Sequence, residues 1–223
     1  MSRPTVIIGY SACPLTRQAF HAAGVDAWTC DLLPSRDGCT DWHIQGDVWE
    51  ALRSRAWSMA VLHPMCTYLT VSAAWAFGDG PYHQRVKPET LVGADRRAAR
   101  DEAIDNFRQL LALPFPVCVE NPAPSFVNRA IRPPDQVIQP HQFGDDASKS
   151  TGLWLTRGVP RLRPTRIVLP RVVNGRYRWA NQTDSGQNRL SPSDDRWLER
   201  SKTYPGIAAA IGSQYGAWLR GQP

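Results

Sequence analysis

The 223-residue chain has no apolar run approaching the roughly 18 residues that a membrane-spanning helix needs, so no span is expected. Its opening, Met1-Ser2-Arg3-Pro4, passes directly into a β-branched run, without the charged-then-apolar pattern of an export signal. A cytoplasmic location is therefore expected. There is no C-x-x-C pair, and the cysteines are odd in number: Cys13, Cys30, Cys39, Cys66 and Cys118. A disulfide framework is not expected in a chain of this size and address. The histidines, His21, His43, His63, His83 and His141, stand without ligand spacing, so no metal site is expected either. Internal repeats and low-complexity tracts are also missing. One local absence is informative: from Arg157 to Arg178 there are seven arginines and no Asp or Glu.

A hydrophobic share of 42% marks a globular chain, and its length suits one α/β domain spanning residues 1–223. The net charge of +6 favours a polyanionic partner such as nucleic acid or a nucleotide. Charge of this size also serves solubility alone. The acid-free arginine stretch is the sharper signal for nucleic acid.

Thr5 to Tyr10 reads as a first strand, Leu15 to Ala23 as a helix stopped by Gly24, and Val25 to Asp31 as a second strand. After a polar loop, Gly46-Asp47 opens a short helix with Asp47 as N-cap, and Trp57 to Leu62 is the next strand. This β-α-β-α-β rhythm predicts a parallel sheet with helices on its faces. Residues 70–90 read as an aromatic, mobile flap. Arg96 to Leu113 is the longest predicted helix, and Pro116 to Glu120 a buried strand. The proline-rich stretch from Pro122 to Pro140 reads as an irregular crossing, and Gly152 to Thr156 as a strand. Asn174-Gly175 between alternating flanks predicts a type I′ hairpin. It lies within a basic insertion, residues 157–185. Ser201 to Leu219 closes the chain, with Pro205 near the start of a helix that packs back on the cofactor end of the sheet.

The chemistry-bearing residues fall at strand ends, where an open parallel sheet puts its ligands. Gly9-Tyr10-Ser11-Ala12 is a small-residue turn before a helix, suited to close approach by a ligand. Asp31 is placed to bond ribose hydroxyls, and Asp47 to accept from an adenine amino group. Both are also ordinary cap or turn residues. Cys66 follows a buried strand and Pro64 among polar neighbours, as a nucleophile at a crevice would. The alternative is that it simply packs, as buried cysteines often do. That second reading is the one adopted for Cys13, Cys30, Cys39 and Cys118. Glu120 ends a buried strand, where partial burial is expected to raise its pKa toward that of a proton donor. The alternatives are a helix cap after Pro122 or an arginine partner.

The order of these segments resembles the cytosine-C5 methyltransferases. The matching segments are Gly9-Tyr10-Ser11, Asp31, Gly46-Asp47, Pro64-Met65-Cys66 and Glu120-Asn121-Pro122. Residues 139–155 and 201–215 are similar to segments of small phage and prophage members. The family's Pro-Cys is here interrupted by Met65, its Glu-Asn-Val is Glu-Asn-Pro, and its Arg-x-Arg segment and large recognition domain have no counterpart. The resemblance implies a Rossmann-like class I methyltransferase sheet with helices on both faces and a small β-hairpin insertion near the C-terminus. It implies S-adenosylmethionine held by Gly9, Tyr10, Ser11, Ala12, Asp31, Leu32, Asp47 and His63. It also implies Cys66 as nucleophile, Glu120 as its partner acid, and Pro64, Asn121, Lys149 and Thr151 at the substrate. DNA is the implied partner, with the basic insertion as a reduced recognition element. A free pyrimidine nucleotide, a non-catalytic nucleic-acid-binding role, and a donor carrying a group other than methyl are the alternatives.

Overall fold

The computed structural model describes residues 3–83, 85–190 and 202–222. Ser201, at the head of the closing segment, lies outside them. Seven strands form one sheet: β1 (Thr5–Gly9), β2 (Asp26–Asp31), β3 (His43–Gln45), β4 (Met59–Leu62), β5 (Val117–Pro122), β6 (Gln136–Ile138) and β7 (Thr151–Leu155). Their order is β3-β2-β1-β4-β5-β7-β6. The pairings β3–β2, β2–β1, β1–β4 and β4–β5 are parallel. Strand β7 runs antiparallel to both neighbours. Without β7 the order is that of the doubly wound nucleotide-binding sheet. This is the Rossmann-like sheet that the sequence leads one to expect. The hairpin β8 (Arg171–Val173) and β9 (Arg176–Arg178) stands apart as a two-stranded ribbon. Its turn residues, Asn174 and Gly175, have φ of 48° and 73°, as a type I′ turn requires.

The apolar runs of β1, β4 and β5 are continuous because both faces of the sheet are covered. On one face Val6, Ile8, Val61, Cys118 and Leu153 pack with Phe20 of helix α1 (Leu15–Ala22) and Ile211 and Tyr215 of the closing helix α5 (Pro205–Arg220). On the other, Ile7, Leu62, Val119 and Trp154 pack with Leu52 of α2 (Val48–Arg53) and Phe107 of α3 (Gly93–Leu111). Among the described residues no helix is long and apolar enough to cross a membrane.

Four local expectations are corrected. Strand β3 is absent from the sequence reading because it is a three-residue edge strand with no apolar run. The proline-rich stretch holds a short helix α4 (Val127–Ala130) and strand β6, with Val127 and Ile138 fully buried. Strand β5 continues through Pro122, paired to β7, so Glu120 and Asn121 lie in the sheet and not in a turn. The aromatic segment after Thr70 is not irregular throughout. Residues Val71–Phe77 form 3₁₀ turns, Phe77 packs edge-on against Phe126 with centroids 4.9 Å apart, and the buried Arg96 donates to the carbonyls of Leu91 and Thr67.

Helices α1 and α5 meet at glycines. A methyl added at Gly212 would lie 2.4 Å from the Cβ of Ala19 and 2.7 Å from the backbone nitrogen of Phe20. Gly212→Ala is therefore expected to lower the unfolding free energy by about 1–3 kcal/mol through overpacking, measured by urea denaturation. An unchanged midpoint would contradict the tight helix contact.

Candidate active site at the carboxyl edge of the sheet

Parallel register aligns the strand ends. Gly9 sits opposite both Cys30 and Leu62, Asp31 opposite Gln45, and Leu62 opposite Val119. The residues that follow, Tyr10, Leu32, Gly46-Asp47, His63 and Glu120, thus share one edge. The order of strands reverses between β1 and β4, which is the switch point where such sheets take ligands.

On the β1–β2 side, Tyr10 takes a positive φ of 58°, turning the chain sharply after Gly9. Ser11 and Ala12 are buried beneath the loop after β2. The Ser11 amide donates to the Cys30 carbonyl, and the Arg36 amide to the Ala12 carbonyl. The buried Arg17 holds the same loop through Asp37 and Ser35 and ties it to Thr29 within β2. Asp31 and Asp47 each use Oδ1 locally, accepting from the amides of Leu33 and Glu50, the second as the N-cap of α2. Both therefore have the structural role weighed against function. Leu32 is 73% exposed beside Asp31. An acid next to an uncovered apolar side chain at this edge fits the ribose and base of a nucleoside.

On the β4–β5 side, Pro64 is buried and Met65 is exposed. Cys66 is half-buried, and its carbonyl accepts from the amides of Leu69 and Thr70. The amide nitrogen Nδ2 of Asn121 donates to the Pro64 carbonyl at 2.9 Å. The two loops are joined again by the Phe126 amide on the Leu69 carbonyl and by a Thr70–Ser125 bridge. Asn121 is thus a clamp on the Cys66 loop. Cys30 and Cys118 are fully buried, and burial pushes both thiols up to about 12. They are inert at neutral pH.

Glu120 faces α5. Its Oε2 accepts from Nδ1 of His63 at 2.8 Å, and both side chains are largely buried. With Lys149, Thr151, Lys202, Thr203, Tyr204, Ile207 and Ile211 they line a narrow cleft of about 30 Å³. Antiparallel β7 brings Thr151 there by pairing it with Pro122, two residues past Glu120. Cys66 does not line this cleft; the Asn121–Pro64 bond couples its loop to the Glu120 strand. The expected upward shift of Glu120 is reversed. Burial does push its pKa up, but the hydrogen bond and charge of His63 and the charge of Lys149 outweigh it, so the carboxyl is held below its ordinary value. Its partner is a histidine, and among the described residues neither an arginine nor a helix N-terminus takes it.

His63, expected on the cofactor side, is therefore bonded to the acid. Lys202, Thr203 and Tyr204 escaped the sequence reading, which marked only Pro205, near the start of the closing helix. Among the described residues no cluster of three or more His, Cys, Asp or Glu is arranged to hold a metal ion.

The basic insertion docks beside this cleft. Trp179 stacks on His141 with ring centroids 4.5 Å apart. Asn181 exchanges two hydrogen bonds with the backbone of Ser148, the residue before Lys149. Beyond this base, Arg163, Arg166, Arg171 and Arg176 are exposed, with Leu169, Val172 and Tyr177 also uncovered.

No family model matches this chain, and no curated protein does. Among solved structures it is similar to the S. pombe Dnmt2 methyltransferase at 15% identity, with a TM-score of 0.41, over 68% of this chain and 49% of that one. It is also similar to the Entamoeba histolytica methyltransferase EhMeth at 14% identity, with a TM-score of 0.46, over 76% and 59%. The chain spans less than two thirds of either protein's length.

The lowered pKa of Glu120 has a linkage consequence. The unfolded carboxyl titrates near its ordinary value of about 4.3, and the folded one below it. The stabilisation is complete above the unfolded value and is lost as pH falls through the folded one. The stability advantage of the wild type over Glu120→Gln is expected to shrink on acidification below about pH 4. Urea unfolding at a series of pH values measures it. An advantage that grows on acidification would contradict the assignment.

Proposed function

We propose that this protein transfers a methyl group from S-adenosylmethionine to C5 of cytosine in DNA, through a transient bond between Cys66 Sγ and C6 of the ring. The observation that carries the proposal is the Asn121–Pro64 hydrogen bond at 2.9 Å. It fixes the loop of a half-buried thiol to the strand of a buried carboxylate, at the ligand-taking edge of the sheet. The family resemblance of the same segments supports the reading.

The donor would lie against Gly9-Tyr10-Ser11-Ala12, with Asp31 at its ribose, Leu32 along its base and Asp47 near the amino group. It supplies an electrophilic methyl on a sulfonium. The protein's own residues do the rest. The Cys66 thiolate adds to C6, breaking the C5–C6 π bond. The electron pair moves toward N3, where Glu120, hydrogen-bonded to His63, would face the ring. C5 takes the methyl, water or a side chain removes the C5 proton, and the C6–S bond breaks to restore the thiolate. Addition and elimination replace one difficult substitution with two easier steps. A duplex target must first be flipped out, at a cost of a few kcal/mol. Pro64, Lys149 and Thr151 would border the ring, and Asn121, bonded to the Pro64 carbonyl from the opposite face, would hold the loop beside it. The exposed arginines of residues 157–185 supply the sequence-independent phosphate contacts.

The same chemistry on a free pyrimidine nucleotide is the second reading. It is favoured by Lys149 and Lys202 lining the Glu120 cleft, where they suit a phosphate.

The test is methyl transfer from isotope-labelled S-adenosylmethionine to plasmid DNA and, separately, to dCMP, with nucleoside analysis of the product. Labelled 5-methylcytosine from DNA, abolished in Cys66→Ser, is expected. Label in the nucleotide alone selects the second reading. Label in neither substrate, with DNA still bound, would leave a binding protein on this scaffold.

A further inference from the structure

Every histidine has some contact, but His63 differs from the structural ones. Both ring nitrogens of His43 are bonded, Nδ1 to the Thr29 hydroxyl and Nε2 to the Leu33 carbonyl, so this ring bridges two parts of the fold. The ring of His21 bonds the Ala27 carbonyl. His63 bonds through Nδ1 alone, and its partner is the acid of the site. Its buried Nε2 has no hydrogen-bond partner among the described residues. A ring tied only to Glu120 links no two elements that the β4–β5 pairing does not already join.

The chemistry of Glu120 poses the problem that such a ring would solve. Thiolate addition at C6 puts negative charge on N3, which is relieved only if a proton arrives there. At rest Glu120 is a carboxylate, because His63 and Lys149 stabilise its charge, so it carries no proton of its own to give. The group holding a proton on a line to Glu120 Oε2 is His63 Nδ1–H.

We propose that His63 is the proton reservoir of this site, relaying its proton through Glu120 to N3 of the pyrimidine as Cys66 adds, and recovering it as Cys66 leaves. This rests on the function proposed above. The balance is complete. As the S–C6 bond forms, N3 gains a proton from Glu120. The Nδ1 proton passes to Oε2, and imidazolium becomes imidazole. When the C6–S bond breaks, N3–H returns its proton along the same path. The charged and titratable groups against the pair are Lys149 before β7, Lys202 and Tyr204 before α5, and the buried Cys118 thiol on β5, which feels the charge of Glu120. His63 acts through Glu120 and is a positioning and proton-holding residue.

The relay can be read without the methyl donor, because reversible addition at C6 exchanges the C5 hydrogen with solvent. Deuterium exchange at C5 of cytosine is followed in DNA and in dCMP across pH 5–9, for the wild type, His63→Gln and His63→Ala. His63→Gln keeps a donor toward Glu120 but cannot release its proton. In the wild type, exchange is expected to fall on the alkaline side of its optimum. In His63→Gln it is expected to be about 10²-fold slower and to lose that limb, leaving only the rise from thiolate formation. Added imidazole is expected to restore part of the rate in His63→Ala. A His63→Gln profile parallel to that of the wild type would overturn the relay while leaving the Cys66 chemistry standing. No exchange by the wild type on either substrate would overturn the Cys66 chemistry, and the relay with it. Independently of activity, the ring resonances of His63 are expected to shift in the NMR spectrum of Glu120→Gln, because the hydrogen bond to Oε2 is altered. Unmoved resonances overturn the pair itself.

Discussion

The parallel register of β2, β1, β4 and β5 is the constraint on which the site depends. Gly9 faces Cys30 on one side and Leu62 on the other, and Leu62 faces Val119. A slip of one residue in any pairing would turn every side chain to the opposite face. The apolar runs resist that slip because both faces are buried, Ile7 and Leu62 to one side and Val6, Ile8 and Val61 to the other. With the register fixed, the first polar residue past each strand emerges at the same edge. The site is a consequence of where apolar sequence stops.

Two further elements convert an edge into a site. Antiparallel β7 extends β5 past the point where its parallel neighbour ends, so Glu120 and Asn121 remain in ladder geometry. Alternation then sends them to opposite faces. Asn121 clamps the Pro64 carbonyl, and Glu120 meets His63 and the start of α5. Helix α5 is held against α1 by glycine contacts that leave no room for a methyl. Its N-terminal approach, Thr203-Tyr204, thereby reaches the cleft. The basic insertion is tied to the residue before Lys149 through Asn181, so the exposed arginines are mechanically continuous with the Glu120 cleft.

Much of this was legible in the sequence because long apolar runs and capping residues are local signals. β1, α1, β2, β4, α3 and the Asn174-Gly175 turn follow directly from pattern. Asp47 as an N-cap does too. What was not legible depended on pairing. β3 and β6 are three-residue strands, made by a neighbour and not by their own composition. Glu120 reads from sequence as a carboxylate burdened by burial. Only the fold shows that His63 and Lys149 arrive beside it and reverse the direction of its shift. His63 is adjacent to Pro64 in the chain, and the sequence gives no means of telling whether its ring turns toward cofactor or acid. That is decided by the face on which β4 ends.

The central claim is that Cys66 is a nucleophile aimed at a pyrimidine held beside Glu120. The most direct measurement is the intact mass and peptide map of the protein after incubation with S-adenosylmethionine and DNA containing 5-fluorocytosine. Fluorine at C5 blocks the elimination, so a nucleophile that has added stays attached. A covalent adduct mapped to Cys66 is predicted, absent in Cys66→Ser. An adduct on Cys39, or none on a protein that nevertheless methylates DNA, would contradict the account.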